Sequence, residues 1–432
     1  VSEVVGIYNV SGSASGTTVS GGTANFTGTL TSVGAQVVVN GGTANFSRNV
    51  STAQLTVESS GTLTGSAAVT VTKTFTWSSG TLSGTGSTTV AGGGTMNLNG
   101  TFTTETLDGR TLTLGVGATA TWSGTNSLSF GDGAVFNNQG TFTIQNDQTI
   151  NVFGATPTIN NTGTFTKTAG VGTTVVNAAF NNGHTVSVQS GELDLLGGGH
   201  SNAGTFTTAA RSTLGFTGTN VLGAVSGMGA VRFSGGAADV SGTYAIGGAT
   251  TVANGAAVNF IGAVSSGAFS NAGTVTIGTG IHFAISGDYT QTAGVTNLDG
   301  ATLAASHVNV VAGLFSGLGT IVANVSNAAV IVVGGTGTAG LLSITGNYTQ
   351  TSAGSLDMEI GGNSPGTQFD ELAISGSATL GGTLNVSFIN GFAPASGTWR
   401  LLTFASRTGT FAQTNIGNGK SVTYAATNVT VS

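Results

Sequence analysis

Asn138-Gln139-Gly140-Thr141-Phe142-Thr143 returns as Asn161-Thr162-Gly163-Thr164-Phe165-Thr166, as Asn202-Ala203-Gly204-Thr205-Phe206-Thr207 and as Asn271-Ala272-Gly273-Thr274-Val275-Thr276. Asn182-Gly183-His184-Thr185-Val186-Ser187 is a looser copy. Gly140, Gly163, Gly183 and Gly204 follow one another at intervals of 23, 20 and 21, and Gly273 lies 69 further on, three intervals of 23. Nearer the start, Gly21-Gly22-Thr23-Ala24-Asn25-Phe26 recurs as Gly41-Gly42-Thr43-Ala44-Asn45-Phe46, an interval of 20. Self-similarity at this period, carried by strand-forming residues, predicts a β-solenoid whose coils stack along one axis.

Within the repeat the polarity alternates. In Gly163-Thr164-Phe165-Thr166-Lys167-Thr168 the Phe points to one side and both Thr to the other, as in a half-buried strand. Phe142, Phe165, Phe206 and Val275 are therefore expected at equivalent inward places, with Thr in outward rows. Gly-Gly, Asn-Gly and Asn-Asn pairs are read as positive-φ corners. Prolines are confined to Pro157, Pro365 and Pro394, which leaves the backbone amides for ladders between coils. Helical spacing is almost absent. The reading is an all-β, right-handed parallel β-helix. With about 21 residues and three sides per coil, 432 residues give about 20 coils and a rod on the order of 100 Å long.

Composition supports this. The chain exceeds the usual size of one globular core, so it is either several domains or a structure that grows by addition. Charged residues are 6% of the chain, against about 25% in ordinary proteins, and Gly occupies 74 positions. With 39% hydrophobic residues, 22 of them Phe, it is too apolar for a disordered chain. The net charge is −6, and the basic residues Arg48, Lys73, Arg110, Lys167, Arg211, Arg232, Arg400, Arg407 and Lys420 are scattered. No patch is available for phosphates, and no nucleic-acid partner is expected. Zero cysteines exclude disulfides, Cys-based zinc sites and a cysteine nucleophile. No run of about 18 apolar residues predicts a membrane span, and no basic-then-apolar leader opens the sequence.

The last third changes texture. Gly287-Asp288-Tyr289-Thr290-Gln291-Thr292 returns as Gly346-Asn347-Tyr348-Thr349-Gln350-Thr351, a much longer interval than that of the first motif. From about Pro365 the strands lengthen, as in Thr383 to Phe388 and Thr398 to Phe404. The expected division is a shaft over 1–364 and a β-rich cap or interface region over 365–432, formed by antiparallel hairpins or by a cap that closes the solenoid. Gly346 to Thr351, then Leu356-Asp357-Met358-Glu359-Ile360-Gly361-Gly362, then Phe369 to Leu384 resembles the C-terminal passenger region of autotransporter-type and related bacterial surface β-strand-repeat proteins. The upstream coils resemble such passengers only in style. The resemblance implies secretion, a β-helical shaft and an adhesive or structural role.

Candidate sites are few. Gly335-Thr336-Gly337-Thr338-Ala339-Gly340 has the spacing of a dinucleotide-binding loop, but Leu341 to Thr345 reads as a strand where the phosphate-binding helix should begin. The acid pairs Glu192 with Asp194, Asp357 with Glu359 and Asp370 with Glu371 could serve a glycosidase or calcium; solvated or loop-anchoring acids are the plainer reading. His184, His200, His282 and His307 lack metal-ligand spacing. Trp77, Trp122, Trp399 and the tyrosines read as core rather than sugar platforms. Sequons at Asn25, Asn45, Asn347 and Asn428 are expected by chance in so Asn- and Thr-rich a chain. Outward Thr-x-Thr rows could order water and bind ice, but the drifting interval is expected to break their register.

No catalytic, cofactor-binding or metal-ligating residue is nominated and no cofactor is expected. The functional expectation is a non-enzymatic, extracellular or cell-surface bacterial protein: a fibre or filament subunit, surface-layer component or adhesin shaft. Its expected partners are its own copies, paired end to end through Val1 to Val5 and Val422 to Ser432, and host or environmental glycans. The alternative is a polysaccharide-binding or polysaccharide-cleaving β-helix, followed by ice binding.

Overall fold

The computed structural model describes every residue except Ser13 and Asn418, and the side chain of Asn202, which heads one repeat copy, also lies outside the described set. The chain divides into two compact units, Val1–Ala224 and Val225–Ser432. Among the described residues every regular element is a β-strand, and the fold is a β-solenoid of stacked parallel coils.

In the N-terminal unit one coil comprises Val135–Asn138, Thr141–Ile144 and Thr149–Phe153, separated by sharp corners. The chain then lays Thr158–Asn161, Thr164–Lys167 and Thr173–Val176 over the same three sides, each parallel to its predecessor. Every strand of this stretch is thus hydrogen-bonded to the third strand after it, and three flat faces result. Period-two alternation decides which residues enter the core. Phe142, Phe165, Val186 and Phe206 form consecutive rungs of one inward column, so the looser copy at Asn182 belongs to the series. Phe142 and Phe165 stack with centroids 5.1 Å apart, and Phe136 and Phe180 meet this pair edge-on. Each fully buried ring contributes about 1.5–3 kcal/mol.

Three expectations need correction. Val275, in the C-terminal unit, is a rung between Val258 and Thr296 in that unit's own ladder, so the long interval before it does not count three equal coils. Coil length is not constant: the step from Leu314 to its partner Val330 is little more than half the step from Leu341 to its partner Glu371. A fixed divisor is therefore not the right measure of the coils, because corners swell and shrink while the sides stay in register. The repeat glycines also act differently from expectation. Gly140 and Gly163 have ordinary φ, and their role is close approach: a Cβ on Gly163 would strike the Gly140 carbonyl oxygen, and one on Gly140 that of Ala118. Positive φ is supplied at other corners, such as Gly41 with φ 81°.

In the C-terminal unit the long interval of the Tyr motif resolves into three coils, Tyr289 facing Val308, Val308 facing Val325 and Val325 facing Tyr348. Parallel stacking continues past Pro365 as far as Gln413–Ile416, which lies on Thr383–Phe388. Antiparallel pairing is found where Asn428–Val431 inserts between Trp399–Thr403 and Val422–Tyr424. Both edges of that last strand are therefore occupied within the chain, and Val429 and Val431 are buried.

Candidate functional site

The densest gathering of acids nominated from sequence lies at one corner of the C-terminal unit. Ser355–Ile360 turns Leu356, Met358 and Ile360 inward, which obliges Asp357 and Glu359 to face outward. The chain then leaves the coil over Gly361 to Phe369 and returns with Asp370 fully buried at the foot of Glu371–Ile374. Asp370 Oδ1 accepts the Gly340 N–H at 2.7 Å and Oδ2 accepts the Glu359 N–H at 2.6 Å. Glu359 Oε1 accepts the Gly337 N–H at 2.9 Å. Burial pushes the Asp370 carboxyl up to about 8; the charge of Glu359 adds to this and the two amide donors oppose it.

This arrangement answers the dinucleotide-loop question. The amides of Gly337 and Gly340, which would have to cradle phosphate, are bonded to carboxylates, and Leu341–Ile344 continues the solenoid as a strand. A phosphate would meet two acids and no helix N-terminus. The other acids are similarly engaged. Asp357 Oδ1 accepts from Ser355 Oγ at 2.7 Å and from Asn385 Nδ2 at 2.6 Å, bridging two coils. Glu371 lies 3.7 Å from Arg400. Glu192 accepts from Thr173 Oγ1 at 3.2 Å, one coil below. Among the described residues no three His, Asp or Glu side chains converge on a point. A groove of about 710 Å³ in the same unit is lined by Ala245, Ser265, Ala284, Ala304 and other uncharged residues, so no acid or base opens onto it.

Most of the aromatic candidates are core, and Tyr8 and Tyr424 are half-buried. Trp77, Trp122 and Trp399 are buried, and so are Tyr244, Tyr289 and Tyr348. His184 rests on the Gly163 carbonyl and His307 on Asp288, both at exposed positions, far apart in sequence and not clustered. Asn25 and Asn45, two of the sequon residues, bond to each other along a ladder at 2.9 Å.

Sequence reasoning missed the polar groups inside. Arg110 is fully buried and donates to the carbonyls of Gly65, Ser83, Ala67 and Ser87 and to Thr88 Oγ1, tying corners of successive coils together. Lys167 is buried and reaches Asp147 at 2.6 Å, the Asn146 carbonyl and Thr174. Glu105 is buried, with Oε1 on the Gly100 N–H and Oε2 unpartnered; burial raises its carboxyl to about 6. Asn138, Asn161 and Asn182 form a buried amide ladder with bonds of 2.7 and 2.8 Å. Strand parity was the available signal: Lys167 stands two residues after Phe165, and Asn138 two after Phe136.

The outward rows also differ from expectation, for they keep register. On one face of the N-terminal unit Thr74, Thr95, Thr119, Thr141, Thr164, Thr185 and Thr205 form an unbroken column. Beside it, two residues along each strand, run Thr76, Asn97, Thr121, Thr143, Thr166, Ser187 and Thr207. The drift in coil length is taken up at the corners and on the other faces.

Neither a protein-family model nor a curated protein matches this chain.

Proposed function

We propose that the protein is a non-enzymatic structural β-solenoid of the bacterial cell surface or extracellular space, serving as a fibre subunit, surface-layer component or adhesin shaft. The observation that carries this reading is the use made of the nominated acids. Asp357, Glu359, Asp370 and Glu371 are bonded to backbone amides or to side chains of neighbouring coils, so the chemistry of the corner goes into holding the shaft. A surface built from Thr, Ser, Asn and Gly with 6% charged residues suits an exterior exposed to changing salt. The passenger-like stretch from Gly346 to Leu384 points the same way.

Self-association is part of the proposal. Val1, Val5 and Ile7 are exposed beside Ser2–Val4, whereas Asn428–Val431 already has two partner strands. Head-to-tail pairing would therefore join the N-terminal strands of one copy to the exposed strands Ser406–Gly409 and Gln413–Ile416 of the next, and not to Asn428–Val431. Negative-stain electron microscopy over a range of concentrations tests this: concentration-dependent filaments are expected, and uniformly monomeric particles would remove the fibre reading. A glycan array with a reducing-sugar assay covers the polysaccharide alternative, and sugar release would overturn the non-enzymatic reading.

A further inference from the structure

The threonine columns of the N-terminal unit carry an inference that goes beyond a structural role. Strands stack about 4.8 Å apart and residues two apart on a strand are separated by about 6.7 Å, so the two columns make a rectangular lattice of side chains. Seven rungs span about 29 Å along the stack. Thr95, Thr119 and Thr205 are exposed and most of the others half-exposed, while Thr166 in mid-array is buried with its Oγ1 unpartnered.

Hydroxyls in register and in the same rotamer are too far apart to bond to one another; neighbouring rungs bond where the rotamers differ, as Thr408 and Thr379 do in the C-terminal unit at 3.1 Å. An O–H···O bond needs about 2.7–2.8 Å, and identical rotamers on successive rungs repeat at the strand spacing. Consistent with this, Thr74, Thr76, Thr95, Thr119, Thr121 and Thr141 make no hydrogen bond to the protein, among the described residues. Thr205 and Thr207, at the upper end, donate to the carbonyls of His184 and Val186. Water bridging the gaps between exposed rungs would be held at fixed repeats in two directions.

Three features favour a lattice of water as the occupant. Neither column contains a charge, which would orient water radially around itself. Thr is β-branched, so its methyl and hydroxyl are held in few rotamers before anything binds. The strand corners leading into the first column carry Gly94, Ala118, Gly140, Gly163 and Gly204, so little rises above those five rungs, whereas the exposed Lys73 and His184 lead into Thr74 and Thr185. In the C-terminal unit the outward column Ala245, Ser265, Ala284, Ala304 and Val322 carries one hydroxyl, and the column Thr251, Ser270, Thr290, Asn309, Ser326 and Thr349 mixes Thr with Ser and Asn.

We propose that this threonine face binds the surface of an ice crystal, with methyl and hydroxyl groups together ordering the contacting water layer. The test uses the full chain, fluorescently labelled, on a single growing ice crystal, with thermal hysteresis as a second readout. Wild-type protein is expected to coat defined ice planes and to open a gap between melting and freezing. Thr141→Tyr with Thr164→Tyr, which breaks the plane in mid-array, is expected to abolish both signals. Thr111→Tyr with Thr158→Tyr, outward on a different face, is expected to leave them intact. Circular dichroism checks folding, and the milder pair Thr141→Val with Thr164→Val tests the hydroxyls without added bulk. Absence of ice uptake by wild-type protein, or full activity in the Tyr pair, overturns the proposal. So does retention on microcrystalline cellulose or chitin without ice uptake, which would assign the array to a polysaccharide surface. Filament formation is read separately, so either proposal can fail without the other.

Discussion

At the scale of single residues the solenoid's distinctive chemistry is inside it. Asn161 donates to Asn182 Oδ1 at 2.8 Å and to the Thr185 carbonyl at 3.0 Å, and it accepts from Asn138 at 2.7 Å. Leucine at this position would fill a similar volume and leave the Thr185 carbonyl and one neighbouring amide group short of a partner. Each unsatisfied buried group costs about 1–3 kcal/mol, so Asn161→Leu should lose roughly 3 kcal/mol in a denaturant melt. Asn160 sits one residue away on the outward ladder, bonded to Asn137 and Asn181 at 3.0 Å, where water can replace the lost bonds. Asn160→Leu should cost less than about 1 kcal/mol. Equal losses in the two variants would show that the inward amides are not the stabilising set. Lys167 makes a similar case. Methionine there would remove the bonds to the Asn146 carbonyl and Thr174, while water and the Gly172 N–H still serve the exposed Asp147 carboxylate, so Lys167→Met is expected to cost about 1–2 kcal/mol.

At the scale of strands and corners, the period-two pattern and the repeat were enough to read the parallel ladder, the inward Phe column and the three-sided coil. The lengths of the coils were not readable. A parallel side is held by its own ladder, so residues can be added at Gly361 to Phe369 without shifting Glu371–Ile374 from its partner. Counting residues between motifs therefore measures corners as well as coils, which is why the Thr rows were expected to lose register and did not. The acidic corner was legible in part. Asp357 and Glu359 followed from alternation, whereas the burial of Asp370 depends on how the Gly361 to Phe369 excursion returns. Corner glycines give the sharpest test at this scale. Gly163 directly precedes its strand and Gly183 lies one place earlier, opposite Thr162; a Cβ on Gly163 would collide with the Gly140 carbonyl, and one on Gly183 has its nearest neighbour, Asn161 O, at 3.6 Å. Gly163→Ala should cost about 1–3 kcal/mol by forcing coils apart, and Gly183→Ala should change stability by less than about 0.5 kcal/mol. Thermal melts of the two variants would expose a reversed order.

At the scale of the whole molecule the sparse charge predicts insensitivity to salt, because few exposed ion pairs are present to be screened. The same argument suggests insensitivity to pH, but the buried acids change that conclusion. Asp370 has its carboxyl raised to about 8 in the folded protein, from an ordinary value near 3.8. The folded state therefore holds this proton more tightly than the unfolded chain does. The resulting stabilisation is complete below pH 4 and declines as pH rises, until Asp370 is ionised in both states above about pH 8. Glu105, raised to about 6, adds a shorter decline between about pH 4.5 and 6 in the N-terminal unit. The window from pH 6 to 9 isolates Asp370 and avoids the region near pH 5, where low net charge invites association. Denaturant melts across that window should show stability of the C-terminal unit falling by a few kcal/mol and then levelling above pH 8. Asp370→Asn removes the titration and should flatten the profile. The variant is also expected to be less stable at pH 6, because its amide places a donor against one of the N–H groups of Gly340 and Glu359. An unchanged slope in Asp370→Asn would mean that the pH response arises elsewhere, and that the carboxylate at the acidic corner is ionised in the folded shaft.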